Sequence, residues 1–83
     1  MSGATFTVVI SRVDGTLFEG PVTALSVPSV LGEMVVLPHH EPLIALLKQG
    51  NIKVTSALNA TPQSFAIEGG VIEISNNQAI VLV

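Results

Sequence analysis

The chain has 83 residues, 48% of them hydrophobic and 11% charged, with three basic side chains against six acidic ones and no cysteine. That length makes one domain, residues 1–83, and the absence of thiols excludes disulfides and thiolate zinc sites. There is no basic stripe to neutralise phosphates, and three Phe without Tyr or Trp offer little for base stacking, so the composition argues against nucleic acid as a partner.

About a quarter of an ordinary soluble domain is charged. A domain this small has much surface and little interior, so the apolar excess predicts an exposed apolar patch covered by another protein. No uninterrupted apolar run approaches the ~18 residues that would cross a bilayer. Met1-Ser2-Gly3-Ala4 has no basic segment ahead of an apolar one, so neither a signal peptide nor direct membrane insertion is expected.

In chain order, Phe6, Val8 and Ile10 alternate with Thr5, Thr7 and Ser11, the period of a half-buried strand. Asp14-Gly15 is a hairpin turn signal. A second extended piece runs from Leu17 to Val27, interrupted at Gly20-Pro21. Met34 to Leu37 is a short apolar strand that Pro38 ends. The segment from Pro42 to Gly50 is the only one that reads as helical, with Pro42 in its first turn and Gly50 as its cap. Alternation resumes at Ile52 and Val54. A turn-rich gap follows at Leu58-Asn59-Ala60-Thr61-Pro62, then Phe65 and Ile67 alternate again. Gly69-Gly70 breaks that strand, Ile72 and Ile74 form the next, Asn76-Asn77 turns the chain, and Ala79 to Val83 is a last strand apolar on both faces. Short strands with frequent turns indicate an antiparallel sandwich or barrel.

The stretch from Gly32 to Leu43 stands apart, because it holds both histidines, Glu33 and Glu41, and Pro38 and Pro42. Proline-bracketed polar side chains at a strand end are how a rigid loop displays a recognition surface. As metal ligands, His39 and Glu41 would share one side and His40 would point away, leaving two ligands where catalytic zinc has three, so no metal is expected. Glu19, Glu68 and Glu73 fit the solvent phase of their strands, no Gly-x-Ser-x-Gly elbow is present, and Gly69-Gly70 lacks the lysine and spacing of a phosphate loop. No catalytic residue and no cofactor is expected. A metalloenzyme resting on His39, His40 and Glu41 and a free-standing β-sandwich adaptor remain as competing readings.

One resemblance covers nearly the whole chain. Gly32-Glu33, Val36-Leu37-Pro38 and His40-x-Pro42-Leu43 match a known pattern. Leu17-Phe18-Glu19-Gly20, Val27-Pro28, Lys48-x-Gly50-x-Ile52 and Glu68-Gly69-Gly70-Val71-Ile72-Glu73 support it in the right order. Together they resemble the N-terminal domain of the epsilon-subunit family of F-type ATP synthases. The resemblance implies an all-β fold, a ten-stranded β-sandwich of two five-stranded sheets. It implies a non-catalytic central-stalk (rotor) subunit, a hetero-oligomer partner that links the gamma subunit to the c-ring and couples proton flow to ATP synthesis. Its place would be peripheral, on the cytoplasmic side of the cell membrane. By the same resemblance Glu33 would face the polar loops of the c-ring, His40 would lie near gamma and the ring, and Glu41 and Pro42 would belong to that interface. The family usually has Gly-His-Ala-Pro where this chain has His39-His40-Glu41-Pro42. The family's C-terminal helical pair is missing from these residues, so helix-borne inhibition of ATP hydrolysis and ATP sensing are expected to be absent here.

Overall fold

The computed structural model describes residues 4–57 and 60–83, so the expectations for Met1-Ser2-Gly3 and for a turn at Leu58-Asn59 lie outside the described residues. Alternating apolar residues build seven strands: β1 (Phe6–Arg12), β2 (Gly15–Val22), β3 (Ala24–Ser29), β4 (Gly32–Val36), β5 (Leu43–Thr55), β6 (Gln63–Ser75) and β7 (Gln78–Leu82). They lie side by side in the order β2-β1-β7-β6-β5-β3-β4. Every neighbouring pair is antiparallel except β1 with β7.

The long strands β5 and β6 carry the fold line of this sheet. In the first half of β5 the odd positions Leu43, Ala45 and Leu47 turn inward, whereas in the second half the even positions Ile52 and Val54 do. The phase of β6 changes at the same level, from Phe65 and Ile67 to Ile72 and Ile74. The two strands pair in one constant register from Leu43↔Ile74 to Val54↔Gln63, whereas the register of β5 against β3 shifts between Ser26 and Ser29. Because both strands change their inward face at the same level, the paired ribbon bends there as a unit. The sheet is thereby folded over on itself. Its first layer is β2, β1, β7, the second half of β6 and the first half of β5. Its second layer is the first half of β6, the second half of β5, β3 and β4.

Between the layers lies one apolar core that includes Phe6, Val8, Ile10, Leu25, Val27, Val36, Ile52, Ile72 and Val81. Each such side chain contributes about 1.5–3 kcal/mol by leaving water. Phe18 of β2 meets Phe65 of β6 across the layers, with ring centroids 6.2 Å apart and planes tilted by 59°, the tilted geometry that aromatic quadrupoles favour. Arg12 Nη2 donates to the Ala66 carbonyl at 3.3 Å and joins β1 to β6.

The all-β sandwich is as expected, but its strands are counted differently. A single seven-stranded mixed sheet replaces ten strands in two separate sheets, because β5 and β6 run unbroken through their bends and serve both layers. Gly69-Gly70 therefore bends β6 and does not end it. The expected helix from Pro42 to Gly50 is also absent, and Leu43–Thr55 is strand. Nine isolated residues cannot sustain a helix, and here β6 offers a hydrogen-bonding partner along the whole segment. Gly20-Pro21 stays within the edge strand β2, where a missing N–H is tolerated. The chain instead changes layer at Thr23, whose N–H and hydroxyl both donate to the Thr55 carbonyl, at 2.8 and 3.0 Å.

Two positions hold this arrangement under tight constraint. Gly70 has φ 155°. An added Cβ would collide with the Leu82 carbonyl oxygen and lie 3.0 Å from Val83 Cγ1, so β7 can approach only a bare backbone. Asn77 has φ 58° and ties three segments together. Its Oδ1 accepts from the His39 N–H at 2.7 Å, its Nδ2 donates to the Thr5 carbonyl at 2.9 Å, and its own carbonyl accepts from the Thr7 N–H at 3.3 Å.

Gly70→Ala is expected to lower stability by about 3 kcal/mol, through overpacking and backbone strain together. Urea unfolding reads this directly, and an unchanged midpoint would contradict the close approach of β7. Asn77→Ala is expected to cost about 1 kcal/mol, the loss of two exposed hydrogen bonds. It should also accelerate amide exchange at His39 while leaving the exchange of β3 and β4 amides unaltered.

Candidate functional site

The register of the first layer assembles an apolar surface on its outward side. One row across the strands reads Ile44, Glu73, Ile80, Val9, Glu19, and the next reads Leu46, Val71, Leu82, Ser11, Thr16. Opposed residues in such rows have Cβ atoms about 5 Å apart, so Val9, Ile44, Leu46, Val71, Ile80 and Leu82 form one continuous patch. Ile44 is 69% exposed, Leu46 63% and Leu82 52%, and the other three are half-buried. Glu73, between Ile44 and Ile80, and Glu19, beyond Val9, are exposed in the same row. This is the exposed apolar surface that the composition demands, and Leu46 and Ile44 supply it from the segment that reads as a helix in sequence.

The patch continues around the open side of the sandwich. There β4, which pairs only with β3, faces the first half of β5 across a groove of about 520 Å³. Val30, Leu31, Met34, Leu43 and Leu46 line it, with Glu33 at its rim. The groove ends at the β3–β4 turn, where Leu31 is 97% exposed. Apolar residues at a two-residue turn are unusual, since Gly, Asn and Asp normally supply the geometry. Here Ser29 and Gly32 supply it. The buried Ser29 hydroxyl donates to the Gly32 carbonyl at 2.6 Å and accepts from the Leu31 N–H at 3.2 Å, and Gly32 takes φ 128°. The Val30 N–H then donates to the Leu46 carbonyl at 3.0 Å and fastens the turn to β5.

Glu33 lies on the outward face of β4, and its carboxylate accepts from the Ser26 hydroxyl at 2.5 Å. It also lines a smaller polar pocket of about 300 Å³ with Pro28, Lys48, Asn51 and Lys53. His40, Glu41 and Pro42 are elsewhere. From Glu33 the chain runs along β4 to a loop beginning at Leu37, an extended path of roughly 13 Å over the four residues. That loop is held by the Asn77 bonds beside the Asn76-Asn77 turn, with His39 at φ 65° and His40 Nδ1 2.7 Å from the Glu41 carbonyl. The structure thus brings His40, Glu41 and Pro42 together at one end of β4 and leaves Glu33 at the other. Among the described residues no three His, Asp or Glu side chains converge as metal ligands would. The surface consists of an apolar sheet face, an apolar groove and a charged pocket, and their chemistry is that of recognition. The sequence reading missed Asn77 as the anchor of the histidine loop and the lysine pair beside Glu33. Neither has a local signal, because both depend on pairing between distant strands.

The described residues contain no helix long and apolar enough to cross a membrane. Residues 5–83 match the family model described as ATP synthase, Delta/Epsilon chain, beta-sandwich domain. The ATP synthase epsilon chain of Dichelobacter nodosus is 36% identical over 77 residues, which are 93% of this chain and 53% of that protein. The ATP synthase epsilon chain of Chlorobium limicola is 40% identical over 65 residues, which are 78% of this chain and 73% of that protein. The chain thus spans about half the length of the first of these relatives. In fold it is similar to a chain in the Euglena gracilis mitochondrial ATP synthase OSCP/F1/c-ring structure, with a TM-score of 0.88, 23% identity and coverage of 96% of this chain and 51% of that one. A chain in the Tetrahymena thermophila mitochondrial ATP synthase central stalk/c-ring structure gives a TM-score of 0.77 at 12% identity, covering 100% of this chain and 66% of that one. With its sheet, its outward apolar face and the match over residues 5–83, this chain belongs to the beta-sandwich domain family of ATP synthase delta/epsilon chains.

Proposed function

We propose that the chain serves as a non-catalytic central-stalk subunit of a proton-translocating F-type ATP synthase, linking the gamma subunit to the c-ring. The observation that carries this reading is the apolar outward face of the first layer, on a domain of the delta/epsilon family. Relatives in the family bear the name ATP synthase epsilon chain, and chains of the same fold occur in a structure titled as central stalk and c-ring. In this reading the gamma subunit covers Ile44, Leu46 and Leu82, which removes from water the surface that the small charge complement leaves uncovered. Glu33, at one end of β4, and His40, Glu41 and Pro42, at the other, make two separate contacts with gamma and the ring. A carboxylate in such a place sets orientation and approach more than affinity. The subunit then sits peripherally, on the cytoplasmic side of the cell membrane, and takes part in coupling without a reaction of its own. The ten-strand, two-sheet description of the family belongs to the same reading, with the long strands divided at their bends.

Ile44→Glu together with Leu82→Glu tests the face. The double variant is expected to lose co-purification with gamma by at least ~100-fold in affinity, since two desolvated apolar contacts of about 1.5–3 kcal/mol each are removed. Its urea midpoint should stay within the range of the parent, because both side chains point to solvent. Retention of gamma by a folded double variant would sink the assignment of this face.

A further inference from the structure

Lys48 and Lys53 are two of the three basic residues in the chain, and both line the pocket beside Glu33. Five residues apart on a regular strand they would point to opposite faces. The phase change in the middle of β5 brings them to the same side: Lys48 is outward by the numbering of the first half, and Asn51 and Lys53 are outward by that of the second. Pro28 of β3 and Glu33 of β4 complete the lining. Over the same stretch the register of β5 against β3 shifts, between Ser26 and Ser29, the kind of irregularity that re-aims side chains.

We propose that this pocket receives a single side-chain carboxylate from a protein partner, with Lys48 and Lys53 as its cations and the Asn51 amide as a hydrogen-bond donor. Charge decides the ligand. Two lysines against Glu33 leave one net positive charge, which suits one carboxylate and disfavours a doubly charged phosphate held close to the Glu33 oxygens. Shape decides the source. Glu33 lines both this pocket and the apolar groove, so a segment that fills both carries an acidic residue next to an apolar one. The chemistry is that of an exposed stretch of polypeptide. This inference names the chemistry of a contact and holds whichever stalk protein supplies it.

The test uses the chain as it stands, isotope-labelled, with the Lys48 and Lys53 ammonium groups and the Asn51 amide observed by NMR. The probe is acetyl-Leu-Asp-Leu-amide, compared with its Leu-Asn-Leu counterpart, with sodium acetate and with inorganic phosphate. The aspartate peptide is expected to give saturable shifts at all three side chains in the millimolar range, and the asparagine peptide none. Lys48→Gln with Lys53→Gln should abolish the shifts without changing the fold, and Glu33→Gln should tighten binding about five-fold, the effect of removing one like charge at contact distance in water. Equal response to both peptides, or none to either, would overturn the proposal. Acetate binding as tightly as the peptide would overturn the polypeptide source, and tighter binding of phosphate would overturn the carboxylate. Failure here leaves the gamma-binding test of the sheet face untouched, because that test reads other residues.

Discussion

The molecule depends on the change of phase halfway along the paired strands β5 and β6. Without it the two would form a flat ribbon with one apolar side, and half of their side chains would have no layer to pack against. With it, Leu43, Ala45 and Leu47 point into the same core as Ile52 and Val54, although the parity of their positions is opposite. Each strand therefore belongs to both layers, and the sandwich is one sheet folded along a line. Gly70 stands on that line, where the end of β7 comes closer than a side chain permits. An 83-residue chain without disulfides gains from this economy, because a fold made by bending keeps backbone hydrogen bonds continuous where a loop would leave them to water.

The same fold line sorts the surface. Outward positions of the first layer bring together Ile44, Leu46, Val71, Ile80, Leu82 and Val9, while outward positions of the second bring together Ser26, Glu33, Asn51 and Lys53. The first face is mainly apolar, with Glu73 and Glu19 in one of its rows, and the second is mixed, with the exposed Val35 opposite Ser26. A domain with low charge content normally scatters its polar groups to stay soluble. Here the outward apolar side chains of the first layer still adjoin one another, which leaves them free to be buried together. Much of the exposed apolar surface thus lies on one outward face and in the adjoining groove, with Val13, Val35 and Leu37 exposed elsewhere.

Much of the fold was legible in the sequence. The alternation of Phe6, Val8 and Ile10, the Asp14-Gly15 turn, and the inward phases of Phe65, Ile67, Ile72 and Ile74 all survive in the structure. Legibility failed where both faces of a strand are apolar. Leu43-Ile44-Ala45-Leu46-Leu47 has no alternation to read, because its inward residues enter the core and its outward ones form the exposed patch. The run therefore resembles a helix for the very reason that it carries an exposed apolar face. The parallel pairing of β1 with β7 was equally invisible, since it joins the two ends of the chain and leaves no mark in either segment. Of the site, Glu33 and the histidine loop could be singled out by composition. Their separation could not, because it follows from the course of β4, and the lysines converge only through the register of β5.

These features bear on what kind of work such a surface can do. A catalytic site gathers titratable groups into a concave, partly dry setting where their interactions strengthen. Here the ionisable side chains lie on outward faces and at turns, and the 520 Å³ groove is lined mainly by aliphatic side chains whose contacts are non-directional. What the fold supplies is rigidity. The β3–β4 turn is fixed by Ser29, the histidine loop by Asn77, and the layers by Phe18 against Phe65. Contacts on opposite layers are then held at a constant spacing by a core that cannot be compressed cheaply. A body gripped on one face and touched on another transmits displacement between its neighbours only if it does not yield itself, and the dense interlayer packing of this small sandwich meets that requirement.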